Sequence, residues 1–182
     1  MFFQGGGEVQ DALRRITARL NSLSIDYAVV GGMALFIHGL RRFTEDVDIL
    51  VTPDGLRLIH EALEGSGYRP PFPNSKNLRD TDNGVHIKFL VAGDSLALVV
   101  MEREGVKLLT LPALIELKLA SGMTSLDRLK DLADVQELIK MLDLPEEFAD
   151  YLNPYVREQY HTLWQSVEAV RQQRQNDEEH KG

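Results

Sequence analysis

Two aspartates, Asp46 and Asp48, are separated by a single valine in the alternating segment Glu45-Asp-Val-Asp-Ile-Leu-Val51. Successive side chains of a strand point to opposite faces, so both carboxylates are expected on one face, about 6–7 Å apart. Two anions on a half-buried sheet repel each other and lose hydration, and a divalent cation such as Mg²⁺ compensates both effects. The alternative is a solvated edge strand on which the two aspartates have no such role.

A glycine pair precedes the two aspartates. The short apolar run Tyr27-Ala-Val-Val30 predicts a buried strand, and Gly31-Gly32 ends it before a short apolar helix over Met33 to His38. A strand, a glycine turn and the start of a helix present backbone N–H groups that suit phosphate oxygens. A simple tight turn is the alternative explanation of the same pattern.

Taken together, these segments resemble a known family. Gly31-Gly32-Met-Ala34, followed by Arg42-Phe-Thr44-Glu-Asp46-Val-Asp48, is similar to the motif of the polymerase-β-like nucleotidyltransferase superfamily. The closer similarity is to its small bacterial branches, which are associated with abortive-infection and toxin–antitoxin modules. The resemblance spans residues 25–142, since it extends to Lys118 and to Arg128-Leu-Lys130-Asp131-Leu-Ala-Asp134.

The resemblance implies a transferase that uses Mg²⁺ or Mn²⁺ to move a nucleoside monophosphate from a nucleoside triphosphate (NTP) to an acceptor. One metal would stabilise the leaving pyrophosphate and the other would activate the attacking hydroxyl. The acceptor could be RNA, a protein or a small molecule. The roles implied are metal binding for Asp46 and Asp48, triphosphate binding for Gly31 and Gly32, nucleotide placement for Arg42 and Thr44, neutralisation of phosphate charge for Lys118, and shaping of the site for Arg128 and Asp131.

The sequence departs from this family at one position. Active members commonly carry a third carboxylate on a neighbouring strand, and the matching segment here is Val85 to Val91. Its alternation places Lys88 where the third acid is expected, and a cation there would repel a second metal. Lys88 could neutralise Asp46 and Asp48 in an inactive or metal-free site, or contact a substrate phosphate. Asp94, just beyond the strand, is a weaker substitute for the missing acid.

Lys118 lies within the apolar stripe of a helix predicted over Leu111 to Ala120. Such a lysine either extends along the surface to water or reaches towards phosphates and the paired aspartates. In the next helix, predicted over Ser125 to Leu142, Arg128, Asp131 and Asp134 are spaced three residues apart. We expect Asp134 to belong to a solvated, salt-bridged face.

The elements around these residues predict an α+β fold, with a small mixed sheet, flanking helices and a helical C-terminal part. We expect a flexible leader over 1–8, a nucleotidyltransferase-like core over 9–110, a helical part over 111–175 and a disordered tail over 176–182. Inside the core, helices are expected over residues 9–23 and 53–64, and the segment Tyr68 to Asn83 is expected to be mostly loop. A strand pair with a turn at Glu104-Gly105 should end the core.

Composition limits the partners. The 182 residues include 20 Lys and Arg against 28 Asp and Glu, a formal net charge of −8, which disfavours broad, non-specific nucleic-acid binding. No cysteine is present, which excludes disulfides and thiol chemistry and favours a cytoplasmic location. No apolar run reaches the roughly 18 residues of a membrane span. A partner protein remains an open expectation.

Overall fold

The computed structural model describes residues 7–93, 96, 99–124 and 128–179. The chain divides into two compact units, the first ending at Thr110 and the second beginning at Leu111. Helices flank a mixed sheet in the first unit, and the second unit is helical. The α+β fold class predicted from the sequence is therefore confirmed.

The first unit alternates strands and helices. Its elements are α1 (Glu8–Ser22), β1 (Tyr27–Val30), α2 (Gly31–Ile37), β2 (Asp46–Val51), α3 (Pro53–Leu63), β3 (Tyr68–Arg69), β4 (Leu78–Asp80), β5 (His86–Val91), β6 (Val100–Arg103) and β7 (Val106–Leu109). Within the described residues the strands form one sheet in the order β3-β4-β5-β2-β1-β7-β6. The centre of the sheet is mixed, because β2 runs antiparallel to β1 and parallel to β5.

The apolar alternation of the central strands forms the core. Val47, Ile49 and Val51 on β2 and Ile87 on β5 are fully buried. Burying a branched aliphatic side chain of this size contributes about 1.5–3 kcal/mol, so this shared face fixes the register of β2 against β5. The alternation of β5 places Val91 on this face as well, but Val91 stands at the end of the strand and is 46% exposed.

Local signals set the ends of several elements. Thr52 caps α3 by accepting a hydrogen bond from the Gly55 N–H at 3.1 Å, and Pro53 occupies the first helical turn. The predicted turn at Glu104-Gly105 joins β6 to β7, and both residues have positive φ. The segment predicted as loop after Tyr68 contains the short strands β3 and β4, which pair antiparallel with each other.

The second unit consists of α4 (Leu111–Thr124), α5 (Leu129–Met141), a 3-10 helix (Glu146–Tyr151) and α6 (Pro154–Glu179). Helices α4 and α5 pack closely at Gly122, where a Cβ would lie 2.6 Å from the side chain of Leu132. Tyr160 of α6 is buried and donates a hydrogen bond to the carbonyl of Pro145 at 2.9 Å.

Two predicted termini differ from the structure. Glu8, placed in the leader from the sequence, begins α1, because its carboxylate suits the first turn of a helix. Residues 176–179, placed in the disordered tail, continue α6, a helix of 26 residues. Their polar composition predicted exposure, which is correct for residues 176–178, but it did not exclude a helix.

Candidate functional site

Asp46 and Asp48 lie on the face of β2 opposite the core. Each is partly exposed, whereas Val47 between them is fully buried, so the alternation predicted from the sequence is present. Both carboxylates therefore point away from the apolar face and remain accessible to a polar ligand.

The glycine turn supports Asp48 directly. Gly31 has a φ of +62°, and an ideal Cβ built on it would lie 2.2 Å from Oδ2 of Asp48. Any other residue at position 31 would meet both a strained backbone and a steric clash with the carboxylate. The sequence therefore needs glycine here so that the Asp48 carboxylate can rest against the backbone at the start of α2.

Gly32 and Thr44 make a second close contact on the same turn. A Cβ on Gly32 would lie 2.8 Å from the Cβ of Thr44. The Thr44 hydroxyl donates a hydrogen bond to the backbone carbonyl of Asp46 at 3.0 Å. Thr44 thus connects the glycine turn to the first residue of β2, which explains why the two segments of the sequence motif belong together.

Lys88 lies across the sheet from the two aspartates. In the parallel pairing of β2 with β5, Asp46 is opposite His86 and Asp48 is opposite Lys88. The Lys88 ammonium donates a hydrogen bond to Oδ2 of Asp46 and forms an ion pair with it. This hydrogen bond, together with the charges of Asp46 and Asp48, raises the pKa of Lys88 despite partial burial. A cation therefore lies beside the two carboxylates.

The oxygen donors near Asp46 and Asp48 determine whether a divalent cation could bind there. Among the described residues, no group of three or more His, Asp or Glu side chains could hold a metal ion. Asp94, considered from the sequence as a substitute, lies outside the described residues. Two carboxylates on one face still suit Mg²⁺ or Mn²⁺, because these cations are commonly bound through one or two carboxylates plus substrate phosphates.

A cavity of about 840 Å³ opens beside Asp46 in the first unit. Arg42, Thr44 and Lys88, three of the residues singled out from the sequence, line it together with Asp46. Phe36 of α2 and His86 of β5 also line it and were not predicted as site residues. A volume in this range accommodates a nucleoside or another small molecule.

His86 is fixed by a neighbour on β4. Nη2 of Arg79 contacts Nε2 of His86, and β4 pairs Arg79 with His86 in register. A guanidinium can only donate, so Nε2 accepts the hydrogen bond and the ring proton of a neutral His86 lies on Nδ1. The alternation of β5 already placed His86 on the face of Lys88, and that is the signal by which the sequence could have identified it.

Lys118, Arg128 and Asp131 form a cluster in the second unit, where Asp134 joins them. Lys118 is buried and its ammonium donates hydrogen bonds to Asp131 at 3.0 Å and to Asp134 at 2.8 Å. Ser121 donates to Asp131 at 2.7 Å and accepts from Arg128 at 3.0 Å. Burial would raise the pKa of Asp131, but the hydrogen bonds from Ser121 and Lys118 outweigh it and lower that pKa.

Asp134 corrects one prediction. It was expected on a solvated face, yet it is 2% exposed. The three-residue spacing of charges on α5 predicts a surface ladder, and it does not show that Lys118 of α4 pairs with this helix. A buried ammonium needs a buried anion, and Asp134 supplies it.

No protein-family model and no curated protein sequence matches the chain. Several solved structures share its fold. An antigenic nucleotidyltransferase-like protein from Paracoccidioides brasiliensis matches with a TM-score of 0.52 at 20% sequence identity, covering 74% of this chain and 76% of that one. ANT(2″)-Ia, solved in complex with adenylyl-2″-tobramycin, matches with a TM-score of 0.51 at 12% identity, covering 88% and 97% of the two chains. JHP933 from Helicobacter pylori matches with a TM-score of 0.50 at 16% identity, covering 94% and 96%.

At these identities the comparisons establish the fold. The chain shares its fold with these solved structures, one of which is a nucleotidyltransferase-like protein. In the part of the chain that the structure describes, no helix has both the length and the apolar character required to cross a membrane.

Proposed function

We propose that this protein is a nucleotidyltransferase, which transfers a nucleoside monophosphate from an NTP to an acceptor hydroxyl. The observation that carries the proposal is the contact between Gly31 and Asp48. It joins the glycine turn to one of two paired carboxylates in a fold shared with nucleotidyltransferase-like proteins.

In this proposal Asp46 and Asp48 hold Mg²⁺ or Mn²⁺ through their carboxylate oxygens. The bound cation would supply Lewis-acid stabilisation of the phosphoryl oxygens. The Gly31–Gly32 backbone binds the triphosphate, because a turn without side chains lets phosphate oxygens approach closely. Arg42, on the wall of the cavity, offers a guanidinium to the nucleotide, and Thr44 positions Asp46 through its backbone carbonyl.

Lys118, Arg128 and Asp131 have a positioning role in this account. The ammonium of Lys118 already carries two ion pairs, to Asp131 and Asp134, within the second unit. Such a cluster holds α4 and α5 in a fixed arrangement. We therefore assign it to the support of the helical unit, in place of the direct phosphate contact that the sequence resemblance implied for Lys118.

A small molecule with a free hydroxyl is the acceptor that the cavity suits best. The cavity beside Asp46 has the volume of a small-molecule site, and the net charge of −8 disfavours extended contact with RNA. The ligand in the ANT(2″)-Ia structure, adenylyl-2″-tobramycin, supports testing aminoglycosides as well as simple polyols. RNA and proteins are tested as acceptors in the same experiment.

We further propose that the protein belongs to the bacterial toxin–antitoxin or abortive-infection branch of this superfamily. This proposal rests on the sequence resemblance and includes a cytoplasmic location and a partner protein. Induced expression in a bacterial host tests it: growth arrest that disappears with Asp48→Asn supports a toxin, whereas unaffected growth opposes one.

A second function is favoured by the ion pair between Lys88 and Asp46. If the ammonium remains on the carboxylate permanently, the protein binds nucleotide without transferring it. The two functions differ in one observable, since a binding module retains the NTP intact, whereas a transferase releases pyrophosphate.

The test incubates the protein with each α-labelled NTP, Mg²⁺ and three acceptor pools: small molecules, RNA and proteins. Wild-type transfer should fall at least about 100-fold in Asp46→Asn and in Asp48→Asn, because each loses a charged metal ligand. Asp54→Asn, which alters a 91% exposed carboxylate on α3, is the matched control and should keep its activity. NTP binding without labelled product would contradict the transferase and support the binding module.

A further inference from the structure

The two aspartates share one face of β2 and the charge of Lys88, but only Asp46 is shown to accept its hydrogen bond. Asp48 rests against the glycine turn, whereas Asp46 accepts a hydrogen bond from Lys88 and lines the cavity. Lys88 is the register partner of Asp48, so its side chain reaches diagonally along the sheet to Asp46. The side chain of Lys88 is 47% exposed, which leaves its flexible stem room to move.

A divalent cation held by Asp46 would share that carboxylate with the Lys88 ammonium. Both are positive, so a cation that enters alone is repelled by the ammonium and favours its departure from Asp46. A nucleotide changes this balance, because its polyphosphate offers Lys88 several anionic oxygens at the edge of the same cavity.

We propose that Lys88 is an exchangeable counter-ion, which neutralises Asp46 in the free protein and moves to the polyphosphate when nucleotide and divalent cation bind together. The inference rests on the proposed function and deepens it by assigning a role to the residue that replaces the third carboxylate. Cation and nucleotide binding are then coupled through one side chain, since each ligand favours the arrangement that the other requires. A cation that binds alone meets the charge of Lys88 on Asp46. A nucleotide that binds alone can attract Lys88 only by leaving Asp46 without a counter-ion.

Two binding measurements on the full chain test the exchange. The first measures Mn²⁺ alone by electron paramagnetic resonance of the free ion. The second measures inorganic triphosphate by calorimetry at a saturating concentration of Mn²⁺, because triphosphate is common to every NTP. Lys88→Met removes the charge and keeps most of the stem. Lys107→Met, which alters a partly exposed lysine paired with Asp26 at 3.8 Å in the same unit, is the matched control.

We expect Lys88→Met to bind Mn²⁺ roughly tenfold more tightly than wild type, as befits removal of one unit charge beside a partly exposed carboxylate. It should bind triphosphate roughly tenfold more weakly, because the anion loses a cationic partner. Lys107→Met should match wild type in both measurements. If Lys88→Met lowers the midpoint of thermal unfolding, Lys88→Gln provides the same comparison.

Unchanged Mn²⁺ affinity, or unchanged triphosphate affinity, in both Lys88 variants would overturn the exchange. Its failure is distinguishable from failure of the proposed function. Transfer by the wild type, with no shift in the Lys88 variants, removes the exchange and leaves the transferase. Both shifts without any transfer leave the exchange and remove the transferase.

Discussion

Gly31 and Asp48 lie so close that a methyl group on the first would overlap the carboxylate of the second. The distance from an ideal Gly31 Cβ to Asp48 Oδ2 is 2.2 Å, and the backbone at Gly31 has a φ of +62°. The contact connects α2 to β2 and holds one carboxylate of the candidate site in place.

Replacing Gly31 with alanine should disrupt the site more than the fold. The positive φ alone costs an alanine about 1–2 kcal/mol, and the displacement of Asp48 adds to it. We expect Gly31→Ala to lose at least about 100-fold of transfer activity, and roughly 2–4 kcal/mol of unfolding free energy measured in urea.

Gly65→Ala separates strain from steric clash. Gly65 has a similar φ of +76°, but a Cβ there meets nothing within 4 Å. Gly65→Ala should therefore lose only about 1 kcal/mol of unfolding free energy, from backbone strain, and should keep full transfer activity. Equal activity losses in the two variants would show that the Gly31–Asp48 contact does not matter for the site.

The buried Lys118 should be essential for the stability of the second unit. Lys118→Met leaves the Asp134 side chain, only 3% exposed, without its ammonium partner. Removing one partner of a buried ion pair costs about 3–5 kcal/mol, which urea unfolding would measure. The double variant Lys118→Met/Asp134→Leu should recover part of the loss, because the more deeply buried carboxylate is gone and Asp131 keeps its hydrogen bond from Ser121.

Lys140→Met is the control for that comparison. Lys140 pairs with Glu137 at 2.8 Å, but both side chains are well exposed, so the change should stay within about 0.5 kcal/mol. A Lys118 variant as stable as the Lys140 variant would mean that the buried cluster contributes nothing to folding.

His38 should make the first unit less stable in mild acid. Burial, helped by the charge of Arg103, lowers the pKa of His38 below its ordinary value of 6.5, although its hydrogen bond to the Leu109 carbonyl opposes the shift. The unfolded chain then takes up this proton at a higher pH than the folded chain does. Stability is therefore fully present above pH 6.5 and declines as the pH falls towards the lowered pKa.

Thermal midpoints at pH 7.5 and pH 5.5 measure this effect. The midpoint of the wild type should fall at the lower pH, and His38→Gln should show a smaller fall, since a glutamine does not titrate and its amide can still donate to Leu109. His161→Gln removes a half-exposed histidine from the second unit and serves as the control. An identical pH dependence in wild type and His38→Gln would refute the assignment.

Much of the first unit follows from local pattern. The apolar alternation of β2, the Thr52 cap and the Glu104–Gly105 turn each depend on neighbours within a few residues, so the sequence predicts them correctly. The opposition of Lys88 to the two aspartates follows from alternation as well, once β5 is taken to lie beside β2.

Contacts between distant segments could not be predicted in the same way. Asp134 looked solvated because its partner, Lys118, lies 16 residues away on another helix. The role of Arg79 in fixing His86 depends on the pairing of β4 with β5, and β4 lies in a segment whose Pro, Asn and Asp content predicted loop. Burial and strand pairing arise from tertiary packing, which single-sequence periodicity does not contain.

The position of the label in the product tests the central claim most directly. Wild-type protein is incubated with Mg²⁺, the preferred acceptor and one NTP labelled on either the α or the γ phosphate. A nucleotidyltransferase that depends on Asp46 and Asp48 should move the α label to the acceptor and release the γ label as pyrophosphate, and Asp48→Asn should abolish both. Transfer of the γ label to the acceptor, or α-label transfer that persists in Asp48→Asn, would contradict the account.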